Sequence, residues 1–249
     1  MTTVFISDLH LNASRPATIE NFLNFARLED IQVNALYILG DLFEAWIGDD
    51  DIEPTNSKVM EALAALTKTE TPCFFMHGNR DFLIGDIFAD ATGCQLIEDP
   101  KVVEIEGNQV LLTHGDLLCT DDEPYQELRR IVREPNWQRN FLSKTPEERR
   151  AIANDLRSRS LTETAAKPEE IMNVNQNAVK TMMRDHNVKF LLHGHTHRPG
   201  VHTFTLDGCQ ATRIVLGAWD NQSSILLWDK KGFRLETIST EACRLGFSK

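Results

Sequence analysis

The sequence predicts an α/β fold: a mixed sheet or paired sheets with helices packed against them, and a helical insertion near the middle of the chain. Three observations lead there. Short apolar runs stopped by Gly, Asp or Asn alternate with helical spacings over the first third. Two-residue turns containing glycine separate strand-like runs over the second half. Between them lies a stretch rich in arginine and helix-start signals, with no strand pattern. With 249 residues, 41% hydrophobic and 25% charged, the composition is that of an ordinary globule and excludes disordered and fibrous classes.

The elements follow in order. Thr3 to Ser7, Ala35 to Leu39 and Cys73 to His77 read as strands. Ile19, Phe22, Leu23 and Ala26 keep i, i+3, i+4, i+7 spacing, and Val59, Leu63 and Leu66 keep a similar one, so the first third reads βαβαβ. Val110 to Thr113 and Phe190 to His193 are two further strands, and Gly107-Asn108, Asp207-Gly208 and Lys231-Gly232 predict hairpins. In the helical stretch, Thr145-Pro146-Glu147-Glu148 sets a capping hydroxyl, a proline at the first helical position and a glutamate at the third. We therefore expect a body of residues 1–121 and 169–249 with an insertion at 122–168.

Charge divides the chain along the same line. The 26 Lys and Arg against 37 Asp and Glu give a net charge of −11, which lowers the expectation of nucleic-acid binding. Between Leu128 and Lys167, ten basic residues face five acidic ones, an excess of +5 that leaves −16 on the remainder. One account is a solvated helix surface with i, i+4 ion pairs. The other is a phosphate-holding face, because Arg157, Ser160, Thr164 and Lys167 recur at spacings of three, four and three. Five scattered cysteines without a CxxC pair make a disulfide framework or zinc–thiolate site unexpected. No apolar run approaches the ~20 residues of a bilayer span and no signal peptide is evident, so a cytoplasmic protein beginning near Met1 is expected.

The chemistry-bearing residues all follow strand-like runs: Asp8-Leu9-His10, Gly40-Asp41, Gly78-Asn79-Arg80-Asp81, His114-Gly115-Asp116 and Gly194-His195-Thr196-His197. Strand ends on one sheet edge converge on a common crevice. Asp8, His10, Asp41, Asn79, His114, His195 and His197 would there supply two carboxylates, an amide oxygen and four imidazoles. This mixed nitrogen and oxygen set suits Mn²⁺, Fe²⁺, Co²⁺ or Zn²⁺ better than Ca²⁺. Seven ligands exceed the needs of one ion, and two ions share them if Asp41 bridges.

The ordered set DxH, GD, GN, H and GHxH, running from Asp8 to His197, resembles the signature of the calcineurin-like metallophosphoesterases. That resemblance implies a sandwich of two mixed β-sheets flanked by helices. It assigns Asp8, His10, Asp41 and His197 to one ion, and Asp41, Asn79, His114 and His195 to the other. Many members read GNH where this chain has Asn79-Arg80. A guanidinium stays charged and cannot protonate a leaving group, but it can neutralise a departing phosphate, which favours a pyrophosphate substrate.

The GNRD loop, Leu42 to Asp51, the helical insertion and the terminal GHTHRP closely resemble the UDP-2,3-diacylglucosamine hydrolases of lipid A biosynthesis. The resemblance implies two metal ions, with Mn²⁺ the usual activator. It also implies attack at the α-phosphate, yielding UMP and 2,3-diacylglucosamine 1-phosphate (lipid X). Its substrate contacts map onto Asn79, Arg80, Asp122, Ser160, Thr164, Lys167 and His195, to which the spacing argument adds Arg157. Asn79, Arg80 and His195 would act nearest the reacting phosphate, while Asp81 and Asp116 orient ligands.

Two acyl chains require an apolar wall, for which Trp46, Phe82, Leu83, Leu128, Ile131, Val132, Trp137, Phe141, Ile152 and Leu156 are candidates. The substrate's membrane origin implies peripheral attachment at the cytoplasmic face of the inner membrane, with basic cap residues near anionic lipid. A monomer without an obligate protein partner is expected. A dinucleoside polyphosphate hydrolase on the same fold would not need an apolar cap. A noncatalytic scaffold would have lost ligands that are all present here.

Overall fold

A computed structural model describes residues 2–27, 33–51, 53–166, 173–220 and 222–239, without the side chains of 159–166, 222 and 238–239. The chain opens as β1 (Thr2–Ile6), α1 (Pro16–Phe25), β2 (Val33–Leu39), α2 (Pro54–Thr67) and β3 (Cys73–Met76), the expected βαβαβ. Then follow α3 (Asp86–Thr92), β4 (Gln95–Ile97), β5 (Lys101–Ile105) and β6 (Asn108–Leu112). Three helices come next, α4 (Glu123–Val132), α5 (Pro135–Leu142) and α6 (Pro146–Ala166). The last part holds α7 (Gln176–Asp185), β7 (Phe190–His193), β8 (Gly200–Leu206), β9 (Cys209–Val215), β10 (Gln222–Asp229) and β11 (Gly232–Ser239).

The strands form two mixed sheets, ordered β11-β10-β1-β2-β3-β4 and β5-β6-β7-β9-β8. Strands β1 to β4 run parallel, as do β6, β7 and β9, while the hairpin partners β5, β8, β10 and β11 run antiparallel. Alternation along the strands assigns each side chain to a layer. In β1, Phe5 faces the inter-sheet core with Leu39, Met76, Val110, Leu112, Leu192 and Ile214. Its neighbours Val4 and Ile6 face α1 and α2 through Phe22, Phe25, Val59 and Leu63. On the far side, Leu111, Leu191 and Ala211 pack against Val179 and Met183 of α7. The result is a helix, sheet, sheet, helix sandwich, and the expected pair of mixed sheets is borne out.

Helix α6 begins as the sequence predicts. The Thr145 amide donates to Glu148 Oε2 (2.9 Å) while the Glu148 amide donates to Thr145 Oγ1 (3.3 Å), a reciprocal capping box. The sequence reading did not contain α3, β4 or α7. The first two are seven and three residues long, too short for a period to declare itself.

Candidate active site

The five motifs stand at the carboxyl ends of β1, β2, β3, β6 and β7, on one edge of the sandwich. There the chain turns sharply, and the turning residues are the functional ones. Asp8, His10, Asp41, His195 and His197 all hold positive φ, between 50° and 65°. Non-glycine residues adopt that region at a cost, and such strain gathers at functional sites. Close approach of the loops adds a glycine requirement. A Cβ on Gly194 would overlap Ser7 Oγ and the Asp8 carboxylate.

Backbone bonds tie the loops together. The amides of Asp8 and His10 donate to the carbonyls of Gly40 (3.1 Å) and Asp41 (3.0 Å), and Gly194 donates to His114 O (2.9 Å). Asp81 is fully buried and accepts from the amides of Gly78 (2.9 Å) and Leu42 (2.8 Å), with Asp41 at 3.3 Å. Burial and the charge of Asp41 push its carboxyl up to about 6. Asp81 thus locks the GNRD loop to the Gly40-Asp41 loop through the backbone.

The seven candidate ligands meet in two linked clusters. Asp8, His10 and His197 present ligand atoms within 4.8 Å of one another, and so do Asp8, Asp41 and His114. His10 Nε2 faces His197 Nε2 at 3.1 Å. Asn79 Oδ1 lies 2.9 Å from both His114 Nε2 and His195 Nδ1. Asp41 stands between the clusters, with Oδ2 3.8 Å from His10 Nε2 and Oδ1 3.8 Å from His114 Nε2. Asp8 holds Oδ2 in bonds from Ser7 Oγ (2.5 Å) and the His195 amide (2.8 Å). That leaves its buried Oδ1 without a hydrogen bond, 3.3 Å from His197 Nε2.

These contacts test whether the residues fit cations. The carbonyl of Leu39 can only accept, so His114 Nδ1–H must donate to it (2.8 Å), and the neutral ring then aims a lone pair at Asn79 Oδ1. Two lone pairs face each other unless a proton or a cation lies between them. Burial opposes charge on His114, yet Asp41, Asp116, Asp8 and the bond to Leu39 raise it to about 9. His195 moves the other way, to about 4, through burial and the neighbouring His114. Burial would raise the Asp8 carboxyl, but the His197 contact and nearby imidazoles hold it well below the carboxylate range. The site demands positive charge and offers nitrogen and oxygen donors around a shared carboxylate, which fits divalent metal ions.

Beside the clusters opens a pocket between the Leu42–Asp51 and GNRD loops and helices α4, α5 and α6, about 1000 Å³ with the open solvent it includes. Asn79, Arg80 and Arg157 line it with Trp46, Phe82, Leu83, Leu128, Val132, Trp137, Phe141 and Leu156. Ile131 and Ile152 depart from the expected wall: the first is exposed, and the second packs against the core cluster. Arg80 is split between two tasks. Its amide donates to Asp41 Oδ1 (2.8 Å), while its side chain reaches the pocket.

Asp122 lies outside the pocket lining, where it caps α4 by accepting from the Tyr125 amide (3.2 Å). Ser160 and Thr164 lie on α6 where side chains are not described, and Lys167 lies outside the described residues.

The described cap cations that face the body are engaged by it. Arg149, fully buried, reaches Ile47 O (2.8 Å) and both oxygens of Asp50 (2.7 and 2.5 Å), Arg150 pairs with Asp51, and Arg157 pairs with Glu44 (2.5 Å). Arg129 bonds Asp116 (2.7 Å) and Arg133 donates to Gly78 O (2.8 Å). Of these pairs all reach off their own helix, and Arg130–Glu127 (2.7 Å, i,i+3) stays within one.

Two residues escaped the sequence reading. Tyr125 stacks on His195 (5.9 Å between centroids, 30°) and donates its hydroxyl to Asp116 (2.8 Å). Glu44 Oε2 sits 3.2 Å from His10 Nδ1, an ion-pair distance with the ring not aligned for a full hydrogen bond. Neither belongs to the five ligand motifs. The sequence signal was position alone: the first turn of the helix after the fourth motif loop for Tyr125, and the Leu42–Asp51 loop for Glu44.

Comparison with known proteins agrees with the geometry. The profile of the calcineurin-like phosphoesterase family matches residues 1–199. The UDP-2,3-diacylglucosamine hydrolase of Serratia proteamaculans is 48% identical over 226 residues, covering 91% of this chain and 94% of that protein. The hydrolase of the same name from Aeromonas hydrophila is 48% identical over 237 residues, 95% of this chain and 98% of its own length. The chain therefore belongs to the calcineurin-like phosphoesterase family, within which it groups with the UDP-2,3-diacylglucosamine hydrolases.

Proposed function

We propose that the chain hydrolyses the pyrophosphate bond of UDP-2,3-diacylglucosamine, giving UMP and 2,3-diacylglucosamine 1-phosphate for lipid A. One observation carries this reading: a ligand-rich strand edge opens directly into an apolar pocket walled by α4 to α6. Phosphate chemistry belongs at Asn79 and Arg80, and acyl chains belong among Trp46, Phe82, Trp137 and Phe141. Residues 122–168 serve as the cap over a body of 1–121 and 169–249.

Asp8, His10, Asp41 and His197 would hold one divalent ion and Asp41, Asn79, His114 and His195 the other, with Mn²⁺ the proposed metal. When bound, such ions supply an acidified water and neutralise phosphoryl oxygens. The chain's own residues do the rest. Water adds to the α-phosphorus, its proton passes to solvent, and the bond from that phosphorus to the bridging oxygen breaks. The departing 1-phosphate has a second pKa of about 6 and needs no proton, so a permanently charged Arg80 suffices to balance it. His195, neutral near pH 7, stays oriented beneath the Tyr125 ring. Arg157, Ser160, Thr164 and Lys167 would position the substrate from the cap, while Asp122 holds the start of α4.

No helix of the described residues is long and apolar enough to cross a membrane. We read the protein as a cytoplasmic monomer that meets its lipid substrate at the inner face of the membrane. Hydrolysis in H₂¹⁸O tests the bond assignment: the label is expected in UMP. Label in the sugar 1-phosphate would overturn attack at the α-phosphorus.

A further inference from the structure

Glu44 lies in the Leu42–Asp51 loop, outside the five ligand motifs, yet it touches both halves of the site. Its amide donates to Leu11 O (3.1 Å), and the neighbouring Leu11–Phe43 bridge fixes its loop against the one that carries His10. One carboxylate oxygen, Oε2, lies 3.2 Å from His10 Nδ1, and the other, Oε1, lies 2.5 Å from a guanidinium nitrogen of Arg157 on α6. The Glu44 side chain is only 17% exposed. Asp50 and Asp51 also receive arginines from α6, but Glu44 is the point where this acidic loop meets a candidate metal ligand.

We propose that Glu44 is a positioning residue that couples the helical cap to the metal centre, one oxygen orienting His10 and the other anchoring α6 through Arg157. The proposal rests on reading His10 as a metal ligand. At 3.2 Å the carboxylate's charge favours the His10 proton on Nδ1 without a fully aligned hydrogen bond, which leaves the Nε2 lone pair toward Asp41 and His197, the tautomer a metal requires. Coupling between sites is reciprocal. If the Arg157 anchor helps Glu44 hold His10, then a cation bound at His10 must tighten the cap in return.

Mn²⁺ titration by calorimetry, with amide exchange over residues 149–158, tests this on the full chain and on Glu44→Ala, Glu44→Gln and Arg157→Gln. The wild type is expected to bind two Mn²⁺. Glu44→Ala should weaken one site about 10- to 100-fold and leave the other unchanged. Glu44→Gln, which keeps an acceptor oxygen facing His10 Nδ1 but gives up the charge, should recover part of that loss. Mn²⁺ should slow exchange over 149–158 in the wild type but not in Glu44→Ala or Arg157→Gln. Wild-type affinity at both sites in Glu44→Ala, or slowing that persists in Arg157→Gln, overturns the coupling while leaving the metal reading intact. A wild type that takes up no Mn²⁺ overturns the metal reading, and the proposal with it.

Discussion

Arg80 separates by mutation into its two tasks, because its amide serves Asp41 and its side chain serves the pocket. In Arg80→Ala the amide remains. Mn²⁺ stoichiometry should be unchanged while kcat on the pyrophosphate falls by about 100-fold or more, the size expected when a transition-state charge partner is removed. Normal turnover would contradict the leaving-group role. His114 gives a pH prediction. Its pKa of about 9 means that below that pH a proton occupies the ring where a ligand lone pair is needed. Apparent Mn²⁺ affinity should therefore rise from pH 6.5 to 8.5, with protons released on binding, and a pH-independent affinity would refute the assignment. The candidate ligands were legible as a set, because Asp, His and Asn recur together beside turns at the ends of several strand-like runs, although each alone has common structural uses. Their left-handed backbone was not, since Asp8, His10, Asp41, His195 and His197 take positive φ only because crossed loops hold them there. Glu44 and Tyr125 were hidden because their partners His10 and His195 are 34 and 70 residues away in sequence.

Helix α6 shows what an element's sequence reveals and what it withholds. Its start is local chemistry, and Thr145 and Glu148 declare it. Its arginines declare only that charge must be answered somewhere. The answer lies about 100 residues earlier, in the loop that contains Asp50 and Asp51. Gly48 fits that meeting: its φ is 137°, and a Cβ there would run into the Arg149 guanidinium. Arg149→Met should keep the buried stem and lose three hydrogen bonds, one of them to the Ile47 carbonyl. Asp50 is largely exposed and can return to water, so the expected loss is about 2 kcal/mol, roughly 5 °C in Tm for a chain of this size. Calorimetric scanning checks it, and an unchanged Tm would show that the cap is not held at this point. The parallel strands β1, β2, β3, β6 and β7, by contrast, were plain from sequence, because burial turns them into apolar runs, whereas the short, partly exposed parallel strand β4 was not.

Across the whole molecule, two sheets bring five strand ends to one edge, and three helices roof the space beside it. The division of charge between body and cap has a different meaning in the fold than in the sequence. The +5 excess of the helical stretch meets the acidic loop at Glu44, Asp50 and Asp51, so opposite charges hold the cap to the body. Selectivity then falls to the pocket, which is polar at Asn79 and Arg80 and apolar beyond. A substrate with a pyrophosphate and two acyl chains uses both parts, whereas a dinucleoside polyphosphate uses only the first. The most direct measurement is product release from UDP-2,3-diacylglucosamine and a diadenosine polyphosphate in parallel, with and without Mn²⁺. The predicted result is Mn²⁺-dependent release of UMP from the lipid substrate and little cleavage of the other; equal or preferred cleavage of the diadenosine polyphosphate would contradict the account.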